Sequence, residues 1–397
     1  LIKLQPSTRI KELTLLSAND WELLDEVREL KNSGQKITEL TIGEHDIRTD
    51  PRILDALNKS AINGNTGYAP VSGNKNLREA IANRVSKRTG IPTTYKNVII
   101  TPGGQSALFA AHLGVCNPGD VALYCDPYYA TYPGTIAGTG AKPKVIKARP
   151  EENFQLSGEA IDTASDGAKS LLINSPNNPT GVVYTRDTLE DISLACKKNN
   201  LWLISDEVYD TQVWEGTHIS PRSIEGMSER TIVIGSMSKS HAMTGSRIGW
   251  AVAPEEFIDH LINFATHTTY GVPGFIQDAA LHGLSLGKKF ENEIATPFKH
   301  RRDLATQIFS KQNLLTLVPP TGAMYLLLDV SKTGLTGKQF SSLLLAKKHI
   351  AVMPGEIFGK SALGYVRIAM TVNDAEFKNA LNEIIDFTKQ FLQKPLE

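Results

Sequence analysis

Seven short apolar runs recur between residues 98 and 252, at Val98–Thr101, Val121–Cys125, Val145–Ala148, Leu171–Asn174, Leu201–Ser205, Thr231–Gly235 and Gly249–Val252. Helical stretches lie between most of them, at Ser106–Val115, Thr188–Asn199 and Glu255–Ala265. Another precedes them at Asn76–Gly90, with Leu77, Ile81 and Val85 on one face and Gly90 then Pro92 ending it. Short runs without polar alternation read as strands covered on both faces, and the helical connections suit parallel crossovers. The expected fold class is therefore α/β, a mostly parallel seven-stranded sheet flanked by helices. From Gly287 the texture changes. A charged helical segment, Lys288–Lys311, leads to an apolar strand at Met324–Val330, a helix at Gln339–Lys348, strands near Ile350–Met353 and Tyr365–Met370, and an amphipathic helix at Asp374–Leu392. We expect a smaller α+β domain over 287–397, shared with an N-terminal arm over 1–45, beside a large domain over 46–286.

Charge and cysteine content narrow the function. Lys+Arg and Asp+Glu are both 42, so the formal net charge is zero. Nucleic-acid and membrane-surface partners usually require a basic field, and neither is expected. No run of 18 apolar residues suggests a membrane span. Cys116, Cys125 and Cys196 are odd in number and lack metal-ligand spacing. They read as buried free thiols, with no metal site. The opening Leu-Ile-Lys-Leu-Gln-Pro does not have the pattern of a signal peptide, and a cytoplasmic location is expected.

Chemistry-bearing residues gather where the candidate strands end, the edge at which open α/β sheets bind ligands. Gly103-Gly104-Gln105 follows one strand and opens a helix, where backbone N–H groups can approach an anion. Asn174-Ser-Pro-Asn-Asn-Pro-Thr-Gly181 makes a rigid turn that can present an asparagine amide. Asp206 ends an apolar strand with Tyr209 three residues on; a carboxylate there either caps a helix or answers a buried cation. Ser236-Met-Ser-Lys239 follows the next strand, with Arg247 eight residues further. Most lysines are solvated surface groups, but one in this loop can form a Schiff base with a carbonyl cofactor, while the serines and arginine suit a phosphate. Ser236-x-x-Lys239 with Lys332-Thr333-Gly334 also fits the short motifs of penicillin-recognising serine enzymes, yet no Ser-Asp-Asn lies between them.

Taken in order, these motifs resemble the fold-type I pyridoxal-phosphate aminotransferases of class I/II, which include aspartate aminotransferase. The resemblance runs from about Thr41 to Met370. It is carried by T-x-G-E at 41–44, N-T-x-Y at 65–68, G-G-x-x-A-L at 103–108, P-Y-Y-x-x-Y at 127–132, N-N-P-T-G at 177–181, D-E-V-Y at 206–209, S-x-S-K at 236–239, G-S-R-I-G at 245–249 and Y-V-R at 365–367. It implies the fold-type I architecture, pyridoxal 5'-phosphate as cofactor, and transfer of an amino group from an L-α-amino acid to a 2-oxo acid such as pyruvate or 2-oxoglutarate. It implies that Lys239 binds the cofactor aldehyde and then serves as acid–base, that Asp206 pairs with the pyridinium, and that Asn178 and Tyr209 reach the phenolic oxygen. Tyr129 is expected on the ring face, although Tyr128 or Tyr132 could take that place. Gly103, Gly104, Gln105, Ser236, Ser238 and Arg247 are expected around the phosphate. Arg367 is expected to clamp the substrate α-carboxylate, with Gly43 lining that pocket through its backbone. Tyr68 is expected to cross to the neighbouring subunit's phosphate, which makes a homodimer the functional unit.

Departures from the family pattern bear on the substrate. Dicarboxylate-specific members place a cation near the distal carboxylate, but Gln105 stands at one such position and residues 251–285 contain no arginine. Dedicated aspartate use is therefore not expected unless Arg9, Lys11, Arg48 or Arg52 supplies the charge. The segment Leu201–Trp250 is most similar to a branch that includes bacterial arginine–pyruvate aminotransferases. Glu44-His45 stands where the family commonly has Glu-Pro; His112 and His241 receive no role. The alternatives are an aspartate aminotransferase, and a β-lyase or decarboxylase on the same fold, which half-reaction spectroscopy separates from transamination. A non-catalytic regulatory module is disfavoured, because about 40 residues precede Gly43 and no basic footprint is present.

Overall fold

The computed structural model describes residues 4–17 and 22–392, so Leu1–Lys3, residues 18–21 of the expected arm and the last five residues lie outside the described residues. Its strands are β1 Thr38–Leu40, β2 Val98–Thr101, β3 Val121–Asp126, β4 Lys142–Lys147, β5 Ala168–Asn174, β6 Trp202–Asp206, β7 Thr231–Ser236, β8 Gly249–Val252, β9 Thr316–Leu317, β10 Tyr325–Asp329, β11 Ile350–Pro354 and β12 Tyr365–Ala369. They form two sheets. The larger has seven strands in the order β2-β8-β7-β6-β5-β3-β4, and the smaller has five in the order β1-β11-β12-β10-β9.

The larger sheet is the mostly parallel one expected, with β8 alone running against both of its neighbours. Apolar residues fill both faces. Ile99, Leu172, Ile204 and Ile232 pack towards the helices Gly103–Val115 and Glu255–Thr266. Leu123, Leu171, Ile173 and Leu203 pack towards Gly158–Ala164 and Arg186–Lys198. Two-sided burial is why the strands read as continuous apolar runs. β4 is the exception and begins three residues before the expected Val145. It is an edge strand, mostly exposed, and carries Lys142-Pro-Lys where an edge tolerates charge and proline.

Strand direction brings the motifs to one edge. β5 ends at Asn174, β6 at Asp206 and β7 at Ser236, and the register places Asn174 beside Asp206. Because β8 is antiparallel, its beginning falls at that edge, with Gly249 opposite both Ser236 and Thr101. Arg247, two residues before β8, is thereby delivered next to the Gly103-Gly104 turn. The smaller sheet packs on the helices Gly287–Phe309 and Asp374–Leu392 through Phe298, Phe309, Leu328, Phe377 and Phe387. β1 pairs in parallel with β11 and so carries the Thr41–Gly43 segment towards the same edge. Cys116, Cys125 and Cys196 are buried and unpaired. Among the described residues no helix is long and apolar enough to cross a membrane.

Candidate active site

A cavity of about 390 Å³ opens where the strand ends of the large sheet meet the small sheet. Its lining includes Gly43, Gly104, Gln105, Tyr129, Asn178, Asp206, Tyr209, Ser236, Ser238, Lys239, Arg247 and Arg367. Residues from eight separated motifs therefore share one space. Gly103 lies just beneath. Its φ of +78° excludes most side chains, and a Cβ there would press on the Arg247 guanidinium.

One end of the cavity is built for an anion. Gly104 and Gln105 open the helix Gly103–Val115, whose first-turn N–H groups have no intrahelical acceptors. Ser236 Oγ accepts from the Ser238 N–H at 3.0 Å and donates to the Ile248 carbonyl at 3.1 Å, which fixes the loop. Arg247 is exposed and anchored by one hydrogen bond to the Thr244 carbonyl at 2.9 Å. The Gln105 amide is held by Thr131 and Thr135, at 3.1 and 2.7 Å.

The floor holds a carboxylate that lacks a cation. Asp206 is 4% exposed and accepts from the Tyr132 hydroxyl at 2.7 Å and the Val208 N–H at 3.3 Å. Burial pushes its carboxyl up to about 6, against the lowering effect of those two donors. A buried carboxylate with only neutral partners is costly, and a cationic ring nitrogen would relieve it. The helix-cap reading fails, because the residues after Asp206 form a turn and no helix. Asn174 fixes the neighbouring turn: its Oδ1 accepts from the Asn178 N–H at 2.8 Å and its Nδ2 donates to the Asp206 carbonyl at 3.0 Å.

The other end holds two cations, the half-buried Lys239 and the buried Arg367, each with a backbone acceptor. Lys239 Nζ donates to the Gly43 carbonyl, and burial draws its ammonium below the usual lysine range. Arg367 is 5% exposed; Nη1 donates to Asn178 Oδ1 at 2.8 Å and Nη2 to the Thr41 carbonyl. Its Nε is buried without a partner, an orphaned donor that a ligand carboxylate would satisfy. Tyr209 Oη lies 2.9 Å from Tyr325 Oη. The next residue, Asp210, is clasped by Arg84 and Arg88, which hold its carboxyl down at about 2 although burial alone would raise it.

The cavity lining gathers the expected site residues other than Gly103 and Tyr68. Tyr68 lies outside the cavity, 92% exposed, with its ring edge-on to Tyr270. Of the three candidate aromatics, Tyr129 lines the cavity, Tyr132 is committed to Asp206, and Tyr128 packs edge-on against Tyr124. Glu44 lines the mouth and accepts from the Thr244 hydroxyl at 2.9 Å. Lys332 lies outside the cavity and bonds to the Asn313 carbonyl, so the penicillin-type motif is not assembled. Sequence reasoning missed Tyr325 and Phe358, which line the cavity and pack against the Arg367 guanidinium.

Residues 35–384 match the profile of aminotransferase class I and II. The chain belongs to this family. The arginine–pyruvate transaminase of Pseudomonas aeruginosa is 35% identical over 352 residues, 88% of this chain and 90% of that protein. The aspartate/prephenate aminotransferase of Thermus thermophilus is 32% identical over 357 residues, 89% and 91% of the two chains. Among solved structures, an aspartate aminotransferase from Thermotoga maritima superimposes with a TM-score of 0.89 at 31% identity, covering 97% of this chain and all of that one. The protein is thus an aminotransferase of fold type I, and class I/II members use pyridoxal 5'-phosphate. An amino acid and a 2-oxo acid are its substrates.

Proposed function

We propose that this aminotransferase binds pyridoxal 5'-phosphate through Lys239 and passes amino groups from a neutral or basic L-α-amino acid to pyruvate. The observation that carries the cofactor assignment is Asp206, a buried carboxylate whose partners are neutral, on the floor of a cavity that also holds a half-buried lysine amine and an anion-binding helix start.

When bound, the cofactor supplies an aldehyde for the lysine amine and a ring that withdraws electrons from the donor's Cα. The chain supplies the rest. Asp206 holds a proton-bearing ring nitrogen by charge, and Asn178 and Tyr209 offer an amide and a hydroxyl to a phenolic oxygen. Tyr129 covers the ring. Gly103, Gly104, Gln105, Ser236, Ser238 and Arg247 take the phosphate. Arg367 orients the α-carboxylate of either substrate, with the Gly43 backbone beside it. Lys239 Nζ then moves the Cα proton, a task that needs the neutral amine its burial favours. Tyr68 exposes its hydroxyl for a second copy's phosphate, making a homodimer the working unit. Residues 46–286 serve as the cofactor domain, with 1–45 and 287–397 closing the substrate side.

Charge supports the donor class. The cations lining the cavity among the described residues are Lys239, Arg247 and Arg367, all engaged above. Arg52 is turned to Asp50, and Arg9, Lys11 and Arg48 lie outside the lining. A distal carboxylate would lose its hydration without a counter-charge. The Pseudomonas relative's name makes arginine a donor to include. Borohydride reduction of the holoenzyme followed by peptide mapping should label Lys239; label on another lysine overturns the assignment. Steady-state kinetics with aspartate, alanine and arginine should give aspartate the lowest kcat/KM, and a tenfold preference for aspartate would reverse the donor reading.

A further inference from the structure

Tyr325 opens β10, is 2% exposed and touches three working parts of the cavity. Its ring lies under the Arg367 guanidinium, 4.4 Å from centroid to Cζ, and the Phe358 ring packs on the same guanidinium at 4.5 Å. Its hydroxyl stands 2.9 Å from Tyr209 Oη. The same hydroxyl fills the space where a Cβ of residue 43 would sit, and the Gly43 carbonyl receives Lys239 Nζ.

With two rings packed on it, the guanidinium is approached along its N–H rim. Two of the rim donors of Arg367 are occupied by Asn178 and Thr41, and Nε remains free. A carboxylate must therefore arrive in the guanidinium plane, where two-point contact is possible. Cation–π contact in a desolvated site fixes that plane. At the other end, two hydroxyls 2.9 Å apart share one proton between them. If that proton comes from Tyr325, the proton of Tyr209 is free to point into the cavity, and being hydrogen-bonded at its oxygen makes Tyr209 a stronger donor.

We propose that Tyr325 is a positioning residue that serves both ends of the site: its ring fixes the Arg367 plane, and its hydroxyl donates to Tyr209 so that Tyr209 donates into the cavity. This rests on the reading in which Arg367 takes the carboxylate and Tyr209 faces the cofactor. The two functions separate by substitution. Tyr325→Phe keeps the ring and removes the hydroxyl; Tyr325→Leu removes both.

The test uses holoenzyme and two readouts besides turnover: the pH midpoint of its visible absorption, and the dissociation constant of propionate, a carboxylate with no amine to react. A weakened donor at the phenolic oxygen disfavours the deprotonated form, so Tyr325→Phe should raise the midpoint by about half a unit or more. It should leave propionate binding and KM within about twofold, with the loss appearing in kcat. Tyr325→Leu should raise the midpoint similarly and weaken propionate about tenfold. A Tyr325→Phe midpoint equal to wild type overturns the hydroxyl role. Wild-type propionate binding in Tyr325→Leu overturns the ring role; if that variant does not fold, Phe358→Leu tests the same packing through its other ring. Should the wild-type protein itself form no 2-oxo acid, the underlying functional reading falls instead.

Discussion

Asn178 Oδ1 accepts a hydrogen bond from Arg367 Nη1 at 2.8 Å, and the two residues reach that point from different sheets. Asn178 comes from the turn after β5 in the seven-stranded sheet, and Arg367 from β12 in the five-stranded one. A carboxylate drawn to Arg367 therefore approaches a guanidinium that already bridges the two layers, and on the proposed reading its binding would be felt at Asn178.

Arg367→Lys should raise KM for every amino acid and every oxo acid by about 10- to 100-fold, the ~1.5–3 kcal/mol of a charge-assisted contact. Lysine keeps the charge but loses the planar fork and the packing against two rings. A loss confined to one side-chain class would move Arg367 out of the carboxylate role.

Asp206 gives a pH signature. Its carboxyl is raised to about 6 in the chain alone. A cation bound beside it favours the ionised form, so binding cofactor below that pH must expel a proton from Asp206. Cofactor affinity should fall as pH drops below about 6, by up to tenfold per unit from this group. The cofactor's own ionisations contribute equally to an Asp206→Asn comparison, so the difference between the two pH profiles isolates Asp206. Parallel profiles would show that the carboxylate does not titrate with binding.

Gly43→Ala should act through Tyr325. The added Cβ overlaps the Tyr325 hydroxyl, so the ring must move or the Thr41–Gly43 segment must retreat. Either response disturbs Arg367 or Lys239. Expected is a folded protein with kcat/KM reduced about 100-fold, the cost of a roughly 1 Å misplacement. Activity within twofold of wild type would mean that the segment yields freely.

His112 should limit stability in acid. It is fully buried, neither ring nitrogen has a partner, and burial lowers its pKa to about 4. The unfolded chain takes up a proton below about 6.5 and the native one does not, so stability falls as pH drops from there towards 4. Between those limits the slope from this group is about 1.4 kcal/mol per pH unit, so its contribution is complete at neutral pH and progressively lost in acid. Thermal unfolding across pH 4.5–7 should show a shallower decline in His112→Phe; an identical decline would place the acid sensitivity elsewhere.

Legibility in the sequence followed chain direction. The residues that end strands, Asn174, Asp206 and Ser236, could be found because a polar group at the close of an apolar run is conspicuous. Lys239 and Arg247 were found from the loop between two such runs. Tyr325 and Phe358 could not be found this way. Tyr325 opens the apolar strand Tyr-Leu-Leu-Leu, and Phe358 closes Glu-Ile-Phe, so each resembles a core residue until the fold packs Arg367 against both. The same holds for Tyr132, one of three tyrosines in six residues, which only its distance to Asp206 singles out. β4 begins three residues before its apolar run because an edge strand need not be apolar.

Lys239 and Arg367 each donate to a main-chain carbonyl, those of Gly43 and Thr41, and this has a consequence for how the site can drift over generations. No point substitution deletes a carbonyl. Side chains at 42, 44 and 45 can be exchanged, and donor preference retuned, while both cations keep their anchors. What a lineage cannot vary freely is length: one residue inserted between β1 and the helix that starts at Pro51 would shift the two anchors out of phase together. At exposed positions such as 42 and 44 the chain should accept replacements more readily than the stretch accepts insertions.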